Sequence, residues 1–126
     1  MKAVSGINNE PVFCPIVADF YSGMEVTVPL FAKNLNKGKS IDDIKKAYST
    51  KYNGNIVSFS EASDEDGFMS AAKLTGKDSM EISVCGNEDR ILLIARYDNL
   101  GKGASGAAVE CLNIAIGAEK TKCLEL

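Results

Sequence analysis

Apolar and polar residues alternate from Met24 onward: Met24, Val26, Val28 and Leu30 fall on one side, Glu25 and Thr27 on the other. A period of two predicts a half-buried strand over Met24–Ala32. Pro29 lacks an N–H, which puts that strand at a sheet edge or gives it a bulge. After a polar turn, Ser40-Ile41-Asp42-Asp43 has the form of a capping box with aspartate in place of glutamate. Ile41, Ile44, Ala47 and Tyr48 then follow at helical spacing, so a helix runs from here to about Asn53-Gly54. Lys45 and Lys46 read as its solvated face. Ile56–Ser60 alternates as a short strand. Phe68–Leu74 has apolar positions for one or two helical turns. Met80, Ile82 and Val84 alternate again, and Ile91–Ala95 is apolar without a break, as in a strand covered on both faces. Gly86-Asn87-Glu88-Asp89 joins these two strands as an antiparallel hairpin. Near the start, the run Pro11–Val17, broken by Pro15, predicts an edge or bent strand.

The order is strand, strand, helix, strand, short helix, strand, strand, helix. It predicts an α+β layer architecture with a mostly antiparallel sheet. The last helix, residues 103–117, presents Ala104, Ala107, Ala108, Cys111 and Ala115, a face without bulk that suits close packing. Gly117 is its natural stop.

At 126 residues the chain is one domain by length, and long enough for a real core. Its net charge of −3 speaks against a nucleic-acid surface. No apolar run approaches a membrane span, and no signal-peptide pattern opens the chain. The four cysteines, Cys14, Cys85, Cys111 and Cys123, form no CxxC and give no support for a metal site. The acidic stretch Glu61–Gly67 lacks calcium-loop spacing and reads as a solvated loop. Histidine, the usual general base near neutral pH, is absent, which argues against a self-contained active site.

Between the apolar strand Arg90–Arg96 and the last helix lies Tyr97-Asp98-Asn99-Leu100-Gly101-Lys102-Gly103. Glycines here allow positive φ or close backbone approach. Ser105 or Asn99 is positioned to cap the free N–H groups of the first helical turn. The helix N-terminus and Lys102 together make a local positive site suited to a phosphate or carboxylate. The stretch is not a P-loop. Gly101, Gly103 and Gly106 match GxGxxG, but no acidic residue follows at the dinucleotide-binding distance.

The run Asp98-Asn99-Leu100-Gly101-Lys102-Gly103-Ala104-Ser105-Gly106-Ala107-Ala108-Val109 resembles the closing motif of the N-acetyl-γ-glutamyl-phosphate reductase family. Glu10 to Leu30, containing Phe13-Cys14-Pro15 and Ser22-Gly23-Met24, resembles the opening of the second domain in the shorter form of that reductase, and Phe68 to Cys85 fits its middle. The resemblance implies a mostly antiparallel mixed sheet with helices on one face. This is the fold of the C-terminal domain in the semialdehyde dehydrogenase and glyceraldehyde-3-phosphate dehydrogenase-like enzymes. It makes residues 1–126 a single dimerisation domain and Met1 an internal position of a longer chain.

In the family, NADPH reduces an acyl phosphate to an aldehyde through a cysteine thioester, in arginine biosynthesis in the cytoplasm. The nucleophilic cysteine, an acid/base histidine and the cofactor domain all lie upstream of the matched region. No catalytic residue is therefore expected in this chain. Cys14 lacks a cation in sequence reach and reads as a small semi-buried strand residue, while Cys85 and Cys111 read as packing cysteines. The resemblance implies that Asn99, with Gly101, Lys102 and Gly103, lies near the nicotinamide end of NADP. Asn99 as a mere turn cap is the equal alternative. Ser22 and Gly23 fall where some relatives place a substrate-facing arginine. The expected partners are a second copy, paired through the sheet, and the cofactor domain, against which residues 103–117 pack. Two further readings stay open: the matching domain of an aspartate-semialdehyde dehydrogenase, and a non-catalytic dimerising or anion-binding module.

Overall fold

A computed structural model describes residues 2–62 and 64–126; Met1 and Ser63, the latter within the acidic stretch, lie outside the described residues. The strands are β1 (Met24–Phe31), β2 (Val57–Phe59), β3 (Met80–Gly86) and β4 (Arg90–Tyr97), and they form one sheet in the order β1-β4-β3-β2. β4 is antiparallel to both of its neighbours, and β2 is parallel to β3. The architecture is α+β with a mostly antiparallel mixed sheet. β4 takes the inner position because both of its faces carry aliphatic residues: Ile91 and Ile94 point to opposite faces and are 0% and 4% exposed. Pro29 sits in β1, an edge strand, where a missing donor costs least. In the β3–β4 turn, Asn87 Oδ1 accepts from the N–H groups of Asp89 and Arg90.

The helices are α1 (Lys2–Ser5), α2 (Ile41–Lys51) and α3 (Gly106–Ala115). The capping box holds: Ser40 N donates to Asp43 Oδ2 at 3.0 Å. α2 lays Ile41 on Val84 and Ile91, and Ile44, Tyr48, Leu30, Phe59 and Leu93 close around them. Burying each such aliphatic side chain is worth about 1.5–3 kcal/mol. The remainder of this sheet face is open, and Met24, Val26 and Val28 of β1 are 38%, 43% and 45% exposed.

Five expectations need correction. Pro11–Val17 forms no strand and pairs with none among the described residues; Val12 and Val17 are 95% and 98% exposed. Pro11 and Pro15 remove two ladder donors from a short run, so little holds it to an edge. Cys14 is consequently exposed, not semi-buried, and Cys111 is exposed as well. Phe68–Leu74 is not a helix but the start of a series of turns, with Lys73 N donating to Ser70 O and Thr75 N to Ala72 O. The acidic stretch is not simply solvated. Asp66 and Gly67, at φ of 52° and 85°, make a tight turn that carries Glu65 to the sheet.

The last helix begins sooner and less regularly than its pattern suggests. A π-helical turn, Gly101–Ser105, precedes α3. Its end is as expected: Gly117 at φ 70°, with Gly117 N donating to Ile114 O and Ala118 N to Asn113 O, closes a Schellman motif.

Candidate functional site

Arg96 lies near the end of β4, and Asp98 follows just beyond it. Each gathers a different part of the chain. Asp98 is 2% exposed. Its Oδ1 accepts from the backbone N–H groups of Leu100 and Gly101, at 2.7 and 3.2 Å. Its Oδ2 accepts from Ser22 Oγ at 2.9 Å and from Gly76 N at 2.5 Å. Burial alone would raise its pKa. The four donors outweigh that, Gly76 and Leu100 foremost, and hold the carboxyl at about 2.

Asn99 extends the same junction. Its Oδ1 accepts from Gly23 N at 2.9 Å. An N–H donor on that side fixes the amide orientation, so Nδ2 points away from Gly23. Among the described residues Nδ2 donates to no group, and Asn99 is half-exposed. Thr75 Oγ1 donates to Ser22 O at 2.8 Å. Gly23 must be glycine: it sits at φ 129°, and a Cβ would stand 2.5 Å from Ala71 O. Ser22-Gly23 and Asp98-Asn99, separated by 76 residues, thus form one polar centre held by the Ala71–Gly76 turns.

The glycine-rich stretch has a packing role. A Cβ at Gly101 would overlap Lys77 O, and one at Gly106 would overlap the Asp78 carboxylate. Asp78 is itself tied to the C-terminal segment, donating from N to Glu125 O at 2.6 Å and accepting from Glu125 N at 3.0 Å. These glycines let the 77–78 segment lie against the start of the last helix.

That arrangement changes the anion-site expectation. Neither Ser105 nor Asn99 caps the helix. Ser105 Oγ donates to Leu100 O, and the cap is the Asp98 carboxylate. A negative charge already occupies the positive end of the helix. Lys102, with its side chain 13% exposed, pairs its Nζ with Glu110 Oε2 at 2.6 Å. The local positive site is therefore balanced from within the chain. Of the face expected to pack closely, Ala104, Ala108, Cys111 and Ala115 are exposed and Ala107 is partly covered.

Sequence reasoning did not single out Asp98, Thr75 or Gly76. Asp98 had a local signal, since an aspartate two and three residues before free N–H groups is an Asx-type cap. Thr75 and Gly76 had none, because their partners lie 53 and 22 residues away.

The family described as "Semialdehyde dehydrogenase, dimerisation domain" matches residues 1–99. N-acetyl-gamma-glutamyl-phosphate reductase 2 of Nostoc sp. is 40% identical over 125 residues, covering 93% of this chain and 39% of that protein. The N-acetyl-gamma-glutamyl-phosphate reductases of Allorhizobium ampelinum and Brucella suis are 39% and 38% identical, over 94% and 88% of this chain and 40% and 37% of their own lengths. The chain spans about two fifths of the length of these relatives.

Proposed function

This chain belongs to the semialdehyde dehydrogenase dimerisation-domain family, and on that premise we propose that it is the second domain of an N-acetyl-γ-glutamyl-phosphate reductase. The parent enzyme would make the semialdehyde of arginine biosynthesis with NADPH, in the cytoplasm. The observation that carries the reading is the 2.9 Å bond from Gly23 N to Asn99 Oδ1. It joins the segment assigned to substrate, Ser22-Gly23, to the one assigned to cofactor, Asn99 to Gly103.

NADPH supplies the reducing electrons when bound. The chemistry of this chain suits only the nicotinamide end of it. Asn99 Nδ2, turned away from Gly23, is a half-exposed donor for a carboxamide oxygen. Lys102 is committed to Glu110, and Asp98 occupies the helix N-terminus, so the Gly101–Gly103 turn is not free to cradle a pyrophosphate. Asn99 and the Gly101–Gly103 backbone would orient the nicotinamide, while Ser22 and Gly23 would border the acyl group. The nucleophile comes from elsewhere in the parent chain. The same charge balance at Lys102 argues against a free-standing anion-binding module.

Two surfaces support the partners. The open apolar sheet face around Met24, Val26 and Val28 suits pairing with a second copy. The exposed small-residue face of α3 suits close packing on the cofactor domain. No described helix is long and apolar enough to cross a membrane.

The test is Asn99→Ala in the complete reductase. Loss of an orienting contact is expected to lower turnover on the order of 10²-fold, with a stability cost of only about 1 kcal/mol for the lost acceptor of the Gly23 N–H. Unchanged turnover would make Asn99 a turn residue only. Preference for aspartyl phosphate over the N-acetylglutamyl substrate would move the assignment to an aspartate-semialdehyde dehydrogenase. The 126-residue chain alone is expected to show no micromolar NADPH binding by calorimetry.

A further inference from the structure

We infer that Arg96 and Glu65 form a positioning pair that sets the Ser22-Gly23/Asn99 centre by anchoring the segment that braces it. The inference rests on the reductase reading for its kinetic consequence, though not for its geometry. Arg96 is 1% exposed. It donates from Nη2 to Glu81 Oε1 at 2.6 Å, and from Nη1 to Glu65 Oε1 at 3.1 Å and Ser70 O at 3.4 Å. Glu65 Oε2 in turn accepts from Ser70 N at 3.0 Å. Lys73 completes the group, with Nζ 2.9 Å from Glu81 and 3.9 Å from Glu65. One buried guanidinium thus grips the start of the brace, Glu65 and Ser70. Two residues further along the chain, just past β4, Asp98 grips its end at Gly76.

Four residues of the brace touch the proposed site. Ala71 O and Ala72 Cα close over Gly23, Thr75 Oγ1 holds Ser22 O, and Gly76 N holds Asp98. This segment has no helix or strand of its own to keep its shape. Its position is set by its anchors.

The two carboxylates divide the work. Burial disfavours the Arg96 charge, and Glu81 followed by Glu65 more than offsets this, so its pKa is raised. Glu81, 14% exposed in its side chain, belongs to β3 and compensates that charge from within the sheet. Glu65 is 46% exposed in its side chain and lies on the brace. An exposed carboxylate adds little to global stability, but a charge-assisted hydrogen bond from one fixed nitrogen of a buried, planar guanidinium sets the direction from which Glu65 is held. Removing Glu65 should therefore displace the site without unfolding the protein.

The experiment is Glu65→Gln, read by amide hydrogen exchange on this chain and by kinetics in the complete reductase. The Gly76 and Gly23 amides are expected to exchange about tenfold faster, with the β4 amides unchanged. In the complete reductase kcat/KM for the acyl phosphate is expected to fall about tenfold, at a melting temperature within about 2 °C of wild type. Glu65→Asp, which keeps the carboxylate, should recover part of both effects. Unaltered exchange at Gly76 and Gly23 would overturn the inference. So would acceleration spread uniformly through β4, or normal kinetics despite loosened amides. If the amides loosen but the complete wild-type protein reduces no acyl phosphate, the reductase reading fails while the anchoring stands.

Discussion

Removing the Asp98 carboxylate should be the most damaging single change near the site. In Asp98→Ala, Leu100 N, Gly101 N, Ser22 Oγ and Gly76 N all lose their acceptor. The lost helix cap costs about 1 kcal/mol. Leaving the buried Ser22 hydroxyl and the Gly76 N–H unpaired costs about 1–2 kcal/mol each. The sum, about 3–5 kcal/mol, is a large share of the 5–15 kcal/mol by which domains are usually stable. At this chain length it lowers the melting temperature by about 10–20 °C.

Asp98→Asn separates charge from shape. With the amide nitrogen on the Oδ2 side, the Ser22 hydroxyl can rotate to accept from it. Only Gly76 N then faces a donor, so the cost falls to about 1–2 kcal/mol. The native pKa, about 2, is depressed below the ordinary 3.8. The wild-type advantage over Asp98→Asn is therefore fully present above about pH 4 and is lost as pH falls through about 2. Urea unfolding of the three proteins from neutral pH down to about pH 2 measures both quantities. Equal costs for Asn and Ala, or a wild-type advantage independent of pH, would refute the hub.

Two further outcomes follow from the packing. Gly106→Ala should destabilise by about 1–3 kcal/mol despite the better helix propensity of alanine, because the methyl overlaps Asp78; Asp78→Gly should recover part of that loss in a chemical denaturation cycle. Native thiol labelling of the chain should modify Cys14, Cys111 and Cys123 quickly and half-buried Cys85 slowly, as mass spectrometry over time would reveal; a slow Cys111 would mean that the exposed face of α3 is already covered.

What could be read before folding was local. The period-two runs at Met24–Leu30 and Met80–Val84, the unbroken run at Ile91–Ala95, the Ser40–Asp43 box and the Gly117 stop each express the geometry of a few neighbouring residues, and each appears in the structure. The family was legible because Asp98–Val109 is a contiguous motif. Contacts between distant segments were not legible. Nothing near Glu65 announces that Arg96 will meet it 31 residues away, nor does Gly23 announce Ala71. Pro11–Val17 failed for a related reason: an apolar run becomes a strand only where an unpaired edge meets it, and no local pattern supplies that edge. The Gly101–Gly106 stretch looked like a phosphate cradle because glycine and lysine spacing cannot reveal what the backbone approaches. Tertiary structure brought Lys77-Asp78 and Glu110 there, and local charge that a ligand would have met is balanced by side chains of the chain itself.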